Sequence, residues 1–177
     1  MIVVLNTSFN RKHSTVLPAD SAARVVSILH DHENFIRLNP LVTEIELVSQ
    51  QNTPFPLPDE GPLPPPPENP NEMWKTYDVV DIVPRFGGFW NQRLEYTTTI
   101  CNLDNGMKGM TNPGLGIHIE SDWLVEKGAD GELLLIESAK VDCNVILVPL
   151  IKFPLYSSHD KMHNTIVEMV KQTPSAP

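Results

Sequence analysis

The sequence predicts a single α+β domain in which a seven-stranded antiparallel sheet wraps around one long C-terminal helix. Two observations carry this prediction. From residue 73 onward, segments of alternating apolar and polar residues follow one another with short connections, which is typical of an antiparallel meander. Beyond them, Pro149 and Pro154 separate the last strand pattern from a helical pattern over residues 155–171. A sheet closed by a helix leaves an apolar hollow, and such hollows hold small molecules.

Composition restricts the classes of function. The 177 residues suffice for one domain with a real core. A formal net charge of -9, from 13 basic and 22 acidic residues, disfavours a nucleic-acid partner. We find no signal peptide and no run of about 20 apolar residues, so we expect a cytoplasmic protein without a membrane span. Cys101 and Cys143 lie in apolar strand patterns, which favours reduced core thiols over a disulfide.

The N-terminal part predicts a strand, two short helices and a second strand. Residues 1–17 alternate as an extended segment that Pro18 ends. Asp20 is the predicted N-cap of the first helix, and Asp31 begins a second one that stops before Pro40. The apolar stripe of the first helix comprises Ala22, Val25, Val26 and Leu29. Residues 42–50 then alternate as the second strand.

Residues 52–72 interrupt this pattern with nine of the chain's 17 prolines. Proline removes backbone donors and favours polyproline II, so we predict an exposed loop inserted between two strands of a single domain spanning residues 1–177. Two alternatives remain open for this loop. It could be a proline-rich ligand for an aromatic groove, or a lid over the mouth of a pocket.

The meander that follows contains five predicted strands. They cover residues 73–84, 91–103, 106–111, 116–127 and 131–148. Asn105-Gly106 and Asp130-Gly131 stand where two-residue hairpin turns need a positive φ. With the two N-terminal strands, the predicted sheet has seven strands.

Two stretches resemble a known superfamily. LHDHENFIRLNPLVTEIELV is similar to the helix-helix-strand opening of START-like proteins, and ESAKVDCNVILVPLIKFPLYSSHDKMHNTIVEMV is similar to their last strand and gripping helix. The resemblance to this superfamily of polyketide cyclases, dehydrases and lipid-transfer proteins implies a helix-grip fold, and it is strongest to an uncharacterised fungal branch. Its members include carriers, cyclases, dehydratases and ligand sensors. Because they share no catalytic motif, the resemblance assigns no catalytic residue.

Glu137 is the leading candidate for a catalytic residue. It falls in the apolar phase of the last strand, where a carboxylate would be desolvated and biased toward its neutral form. A general acid or base often has this environment. The alternative is a β-bulge at residues 136–138 that turns Glu137 outward, since Leu134 and Ile136 are apolar in the opposite phase.

Further candidates lie on the fourth strand and the last helix. Tyr96 and Thr98 share a strand face and are either polar groups of a pocket or members of a cross-strand hydroxyl row. His159 and His163 are four residues apart, a spacing that can bind zinc, but the absence of an evident third ligand argues against a metal site. We predict catalytic roles for Glu137, His159 and Tyr96. The predicted substrate-binding residues are Thr98, Trp90, Trp123, Tyr156, Tyr77 and His163.

These observations lead to two functional hypotheses. The first is an enzyme without a cofactor, a cyclase, isomerase or dehydratase that folds a polyketide- or terpenoid-like intermediate of secondary metabolism and moves protons with a few polar groups. The second is a non-catalytic carrier or sensor of a small hydrophobic ligand. Sequence motifs of the commoner enzyme classes are absent, which does not separate the two. Whether the protein is a monomer or a homodimer stays open.

Overall fold

The computed structural model describes residues 5–51, 72–85 and 88–172, and it has the predicted architecture. Seven strands form one antiparallel sheet in the order β1-β7-β6-β5-β4-β3-β2. The strands are β1 (Asn6–Leu17), β2 (Val42–Gln51), β3 (Trp74–Arg85), β4 (Trp90–Leu103), β5 (Gly106–Gly114), β6 (Ile117–Lys127) and β7 (Leu133–Asn144). The fold class predicted from the sequence is therefore confirmed.

Two short helices, α1 (Ala22–His30) and α2 (His32–Arg37), connect β1 to β2. The predicted cap of α1 is wrong, because the helix starts after Ser21 rather than Asp20. The hydroxyl of Ser21 points back to the carbonyl of Pro18, to which it donates at 2.7 Å, and it makes no capping hydrogen bond with a helix amide. The predicted start of the second helix at Asp31 is confirmed, and the structure adds that the carboxylate of Asp31 caps α2 by accepting from the amide of Asn34.

The closing helix, α3 (Val148–Gln172), begins about two turns before its predicted start, because neither proline ends it. Pro149 lies in the first turn, where a helix leaves amide groups unpaired and a missing N–H costs little. Pro154 cannot donate to the carbonyl of Leu150, one turn earlier. Arg85 supplies that hydrogen bond instead, from Nη1 at 3.3 Å. The last strand correspondingly ends at Asn144, followed by a single 3₁₀ turn.

The two predicted hairpin glycines have different roles. Gly131 has a φ of 82°, as its turn was predicted to need. Gly106 does not have a positive φ. It is the first residue of β5, and a Cβ atom there would collide with the carbonyl oxygen of Trp123 on β6. Glycine is required at this position by close approach between strands rather than by a turn.

The main core lies between the sheet and the three helices. Val25 and Leu29 of α1 and Ile166 of α3 are fully buried against strand residues such as Trp123 and Leu135. Cys101 and Cys143 are both buried thiols. The predicted proline-rich loop lies outside the described residues except for Glu72. Within the part of the chain described, no helix has the length and apolar character needed to cross a membrane.

Candidate active site

A cavity of about 250 Å³ opens between the sheet and α3. Its wall is mostly apolar and includes Phe35, Ile100, Met107, Leu155 and Met162. This volume is close to the lower end of the range for small-molecule sites. Apolar walls favour a hydrophobic ligand, so any polar group in the wall is a candidate for orienting it or reacting with it.

The polar residues of the wall come from the connection between α2 and β2, from four strands and from α3. They are Asn39 of the connection, Asp81 and Arg85 of β3, Gln92, Tyr96 and Thr98 of β4, Thr111 of β5, Ser121 of β6, and Ser158 and His159 of α3. The hydroxyls of Thr98 and Thr111 lie 2.7 Å apart and form a hydrogen bond between β4 and β5. Thr98 therefore satisfies both sequence interpretations, because it faces the cavity and also forms a cross-strand hydroxyl pair.

Glu137 is fully buried, with no solvent-exposed surface. The pairing of β7 with its neighbours runs without interruption here, with Glu137 opposite His13 on β1 and Trp123 on β6. The bulge alternative is therefore wrong, and the side chain points inward. Glu137 does not itself contribute to the cavity wall. It contacts His159, which does, so its influence on a ligand passes through that imidazole.

Two side chains hydrogen-bond to the Glu137 carboxylate, and a third nitrogen lies nearby without forming a hydrogen bond. His159 Nδ1 lies 2.5 Å from Oε1, Arg11 Nε lies 3.2 Å from Oε2, and His163 Nε2 lies 3.5 Å from Oε2. Burial by itself raises the pKa of Glu137, but the hydrogen bond from His159, the nearby ring of His163 and the charges of His159 and Arg11 outweigh it. The pKa falls well below its ordinary value. The predicted bias toward a neutral carboxyl is wrong, because the sequence pattern shows burial and not the donors.

This arrangement determines which nitrogen of His159 can react. An ionised carboxylate only accepts hydrogen bonds, so His159 Nδ1 carries a proton and donates it to Glu137. Nε2 is then the nitrogen left for a ligand, and in the neutral ring it is a base. Glu137 holds the orientation of the ring and stabilises the imidazolium that forms when Nε2 takes up a proton.

Behind this pair, β1 contributes three polar residues that the sequence analysis missed. Arg11 Nη2 donates to Asp160 Oδ1 at 2.6 Å, and Thr15 Oγ1 lies 3.0 Å from His163 Nδ1. The rings of His13 and His163 meet edge to face with centroids 4.4 Å apart. The missed signal was available, because all three β1 positions share the inward phase of Phe9 and Leu17.

Asp81 is a second buried carboxyl that the sequence analysis missed. It is 7% exposed and lines the cavity. The hydroxyl of Tyr96 donates to its Oδ1 at 3.2 Å. Burial raises the pKa of Asp81 to about 6, although the Tyr96 hydrogen bond and the charge of His159 act in the opposite direction. The missed signal was the phase of β3, in which Asp81 alternates with buried Tyr77, Val79 and Val83.

Of the other predicted substrate-binding residues, Trp123 lies in the cavity wall and four lie outside it. Trp123 lines the cavity and stacks at an angle on His163, with ring centroids 4.8 Å apart. His163 lies behind it, fully buried, and does not line the cavity. Trp90 is 59% exposed at the start of β4, outside the wall. These two predictions are corrected: His163 faces β1, and Trp90 faces solvent.

Tyr77 and Tyr156 also lie outside the cavity wall. The Tyr77 hydroxyl lies 3.3 Å from His32 Nδ1, so the side chain links β3 to α2. Burial lowers the pKa of His32 to about 4, so its ring is neutral, with Nε2 donating to Asn102 Oδ1 at 2.7 Å. Tyr156 packs under the guanidinium of Arg11, with 4.7 Å between Arg11 Cζ and the ring centroid. Both rings therefore support neighbouring elements.

Metal binding finds no support in the described ranges. There, no group of three or more His, Cys, Asp or Glu side chains is placed to hold a metal ion. His159 and His163 have the spacing noted in the sequence, but both turn a nitrogen toward Glu137.

Comparison with solved structures shows the fold. Norcoclaurine synthase from Thalictrum flavum, in complex with dopamine and hydroxybenzaldehyde, has a TM-score of 0.58 at 13% identity, over 97% of this chain and 90% of that chain. The di-domain ARO/CYC protein StfQ from the steffimycin biosynthetic pathway has a TM-score of 0.60 at 9% identity, over 95% of this chain and 52% of that chain. A START superfamily protein from Mycobacterium smegmatis has a TM-score of 0.55 at 12% identity, over 93% of this chain and 97% of that chain.

These identities are low, so the likeness establishes a START-like fold and not an activity. No curated protein sequence matches this chain significantly. The family model described as a domain of unknown function, DUF7053, matches residues 6–172. The chain therefore belongs to the DUF7053 family.

Proposed function

We propose that the protein is a cofactor-independent cyclase, isomerase or dehydratase that acts on an apolar polyketide- or terpenoid-like intermediate bound in the cavity. One observation carries the proposal. His159 lines an apolar cavity while the fully buried Glu137 lies 2.5 Å from its Nδ1, which leaves Nε2 free of this contact. A carboxylate and an imidazole in this order form a general base whose ring is already oriented.

Each neighbouring group has a role in this proposal. Trp123 packs against the imidazole, with ring centroids 5.6 Å apart, and limits its rotation. Tyr96 presents a hydroxyl from the wall, and burial together with the charge of Asp81 raises the pKa of this phenol well above its ordinary value. Tyr96 therefore remains protonated and serves as a hydrogen-bond donor rather than a base.

The structural neighbours support the class of chemistry. One neighbour is a synthase in complex with dopamine and hydroxybenzaldehyde, and another is an ARO/CYC protein from a biosynthetic pathway. From the sequence resemblance, we propose that the protein acts in the secondary metabolism of a fungus, in the cytoplasm. The neighbours support a small aromatic ligand, whereas its apolar character rests on the cavity wall and the proton chemistry rests on His159 and Glu137.

A carrier or sensor of a hydrophobic ligand is the second candidate. The observation that favours it is the predominantly apolar wall, which would bind a hydrophobic molecule without any chemistry. A carrier does not need a buried carboxylate aligned on a wall imidazole, and for this reason we rank it second.

The experiment is to incubate the purified protein with metabolite extracts and to identify by mass spectrometry which compounds are retained and which are converted. Wild type should convert its ligand. His159→Gln should retain the ligand unconverted, and Glu137→Gln should slow conversion by roughly 10²-fold or more.

His118→Gln is the matched control, because His118 is a histidine of β6 that lies outside the cavity wall. It should convert the ligand at the wild-type rate. Retention of an unchanged ligand by wild type and by every variant would contradict the enzyme and support the carrier.

A further inference from the structure

We propose that Asp81 donates a proton to the carbonyl oxygen of the bound ligand, and that the cavity therefore takes an apolar ketone with hydrogens on the carbon next to the carbonyl. This inference rests on the proposed function, because His159 is the base that removes one of those hydrogens. It adds a second reacting group to the site, and it names the functional group that the substrate must carry.

The geometry distinguishes the two oxygens of Asp81. Oδ1 accepts the hydrogen bond from Tyr96 at 3.2 Å. An oxygen that accepts from a phenol is the carbonyl-like oxygen of a neutral carboxyl group, so the proton belongs on Oδ2. The residue lines the same cavity as His159. The acid and the base thus approach one ligand from different elements, Asp81 from β3 and His159 from α3.

The surroundings of Asp81 favour this protonated form. Within the described residues no cation lies at ion-pair distance from its carboxyl group, in contrast to Glu137, which has Arg11. Burial raises the pKa of Asp81 to about 6 before any ligand is present. An apolar ligand that fills the cavity removes further water from the carboxyl, which disfavours the charged form still more. Binding should therefore be accompanied by uptake of a proton.

The reaction step balances within the site. His159 Nε2 removes a proton from the carbon next to the carbonyl, and the electron pair of that C–H bond becomes the C=C bond of an enol. The carbonyl oxygen takes the proton from Asp81 Oδ2, so the products are the enol, an imidazolium at His159 and a carboxylate at Asp81. Return of both protons, to the same or to a different carbon, restores the two residues. No oxidant, reductant or other co-reactant is needed.

A purely structural role explains Asp81 less well. A buried carboxyl with a single phenol donor costs folding free energy at neutral pH, because its charged form is poorly solvated. Asparagine would keep the hydrogen bond with Tyr96 without that cost. A residue that destabilises the fold while facing a ligand cavity is typical of a functional site.

The test uses 2-acetonaphthone, an apolar aromatic ketone with three exchangeable methyl hydrogens. Titration calorimetry at pH 7, repeated in buffers that differ in ionisation enthalpy, counts the protons taken up on binding. Wild type should take up nearly one proton per molecule bound, because Asp81 passes from mostly ionised to neutral. Asp81→Asn should bind the ketone without that uptake. Asp78→Asn, on the outer face of the same strand, should behave as wild type.

The same samples, transferred to D₂O, show whether the bound ketone is converted to its enol. Mass spectrometry should show deuterium entering the methyl group in wild type, at a rate lowered by roughly 10²-fold or more in Asp81→Asn. Proton uptake that survives in Asp81→Asn, exchange that is as fast in Asp81→Asn as in wild type, or no binding of the ketone would each overturn the inference. Proton uptake through Asp81 without exchange in wild type would uphold the ketone ligand and contradict the proposed enzyme activity.

Discussion

Two buried carboxyl groups, Glu137 on β7 and Asp81 on β3, have opposite protonation behaviour although they lie close to the same cavity. Glu137 has no exposed surface, yet its pKa is held well below the ordinary value. Asp81 is 7% exposed, and its pKa is raised to about 6. Burial favours the neutral form in both, so burial alone does not decide the outcome.

The difference lies in the donors. Both oxygens of Glu137 accept hydrogen bonds, Oε1 from His159 and Oε2 from Arg11. Among the residues that the structure describes, Asp81 accepts from an uncharged donor, the phenol of Tyr96. One carboxylate therefore serves as a permanent charge that orients a base, and the other is a proton reservoir. A site with both can remove a proton at one point of a ligand and supply one at another.

The largest expected effect comes from removing the positive charge beside Glu137. Arg11→Met leaves a buried carboxylate without its cation, and we expect the free energy of unfolding to fall by about 3–5 kcal/mol. Urea denaturation at pH 7 measures this change. Arg93→Met is the control, since Arg93 pairs with Glu44 and Glu95 on the exposed surface and should cost far less. Equal losses in the two variants would contradict the importance of the buried charge.

Asp81→Asn should instead raise the free energy of unfolding at neutral pH. From pH 3.8, the ordinary pKa, to about 6, the unfolded carboxyl ionises while the folded one stays protonated, so wild type loses stability as the pH rises. The amide does not titrate. The variant should therefore be more stable than wild type by about 2–3 kcal/mol at pH 7, and the gain should vanish near pH 4. Urea midpoints at both pH values test this, and a gain that does not depend on pH would refute the assignment.

The smallest expected effect is a change in the pKa of Asp81 when the hydroxyl of Tyr96 is removed. Tyr96→Phe removes a hydrogen bond that favours the ionised carboxyl, so the pKa of Asp81 should rise above 6 by on the order of one unit. The pH dependence of the ¹³C shift of the Asp81 carboxyl measures it. Tyr156→Phe serves as the control, because Tyr156 packs against Arg11 on the other side of α3. A pKa that stays the same or falls in Tyr96→Phe would mean that the phenol does not act on Asp81.

Much of the fold could be predicted from residue periodicity. The two-residue alternation of β3 to β7 and the apolar stripe of α1 are local signals, and each survives in the structure. The failures are also instructive. The sequence misplaces the start of α3 because proline normally ends a helix, whereas the distant Arg85 donates to the carbonyl that Pro154 cannot pair.

The candidate site was predictable in part for the same reason. Strand phase placed Glu137 inward, and helical spacing put His159 on the same side as His163. The alternation of a strand and the spacing of a helix do not show which inward residues reach the cavity. For this reason Tyr77 and His163 are predicted to line it, although both lie outside its wall. Asp81 lies in the buried phase of β3, so strand phase could also have identified it, but its contact with Tyr96 and its raised pKa could not be read from that phase.

By itself the sequence determined the order of the elements, the faces of the strands and the apolar character of the interior, because these depend on residues two to four positions apart. The tertiary structure alone decided how each buried group ionises. Arg11 and Glu137 are 126 residues apart, and Asp81 meets Tyr96 from a neighbouring strand. A pKa depends on the charges and donors within a few ångströms of a group, and those neighbours are set only when the chain folds.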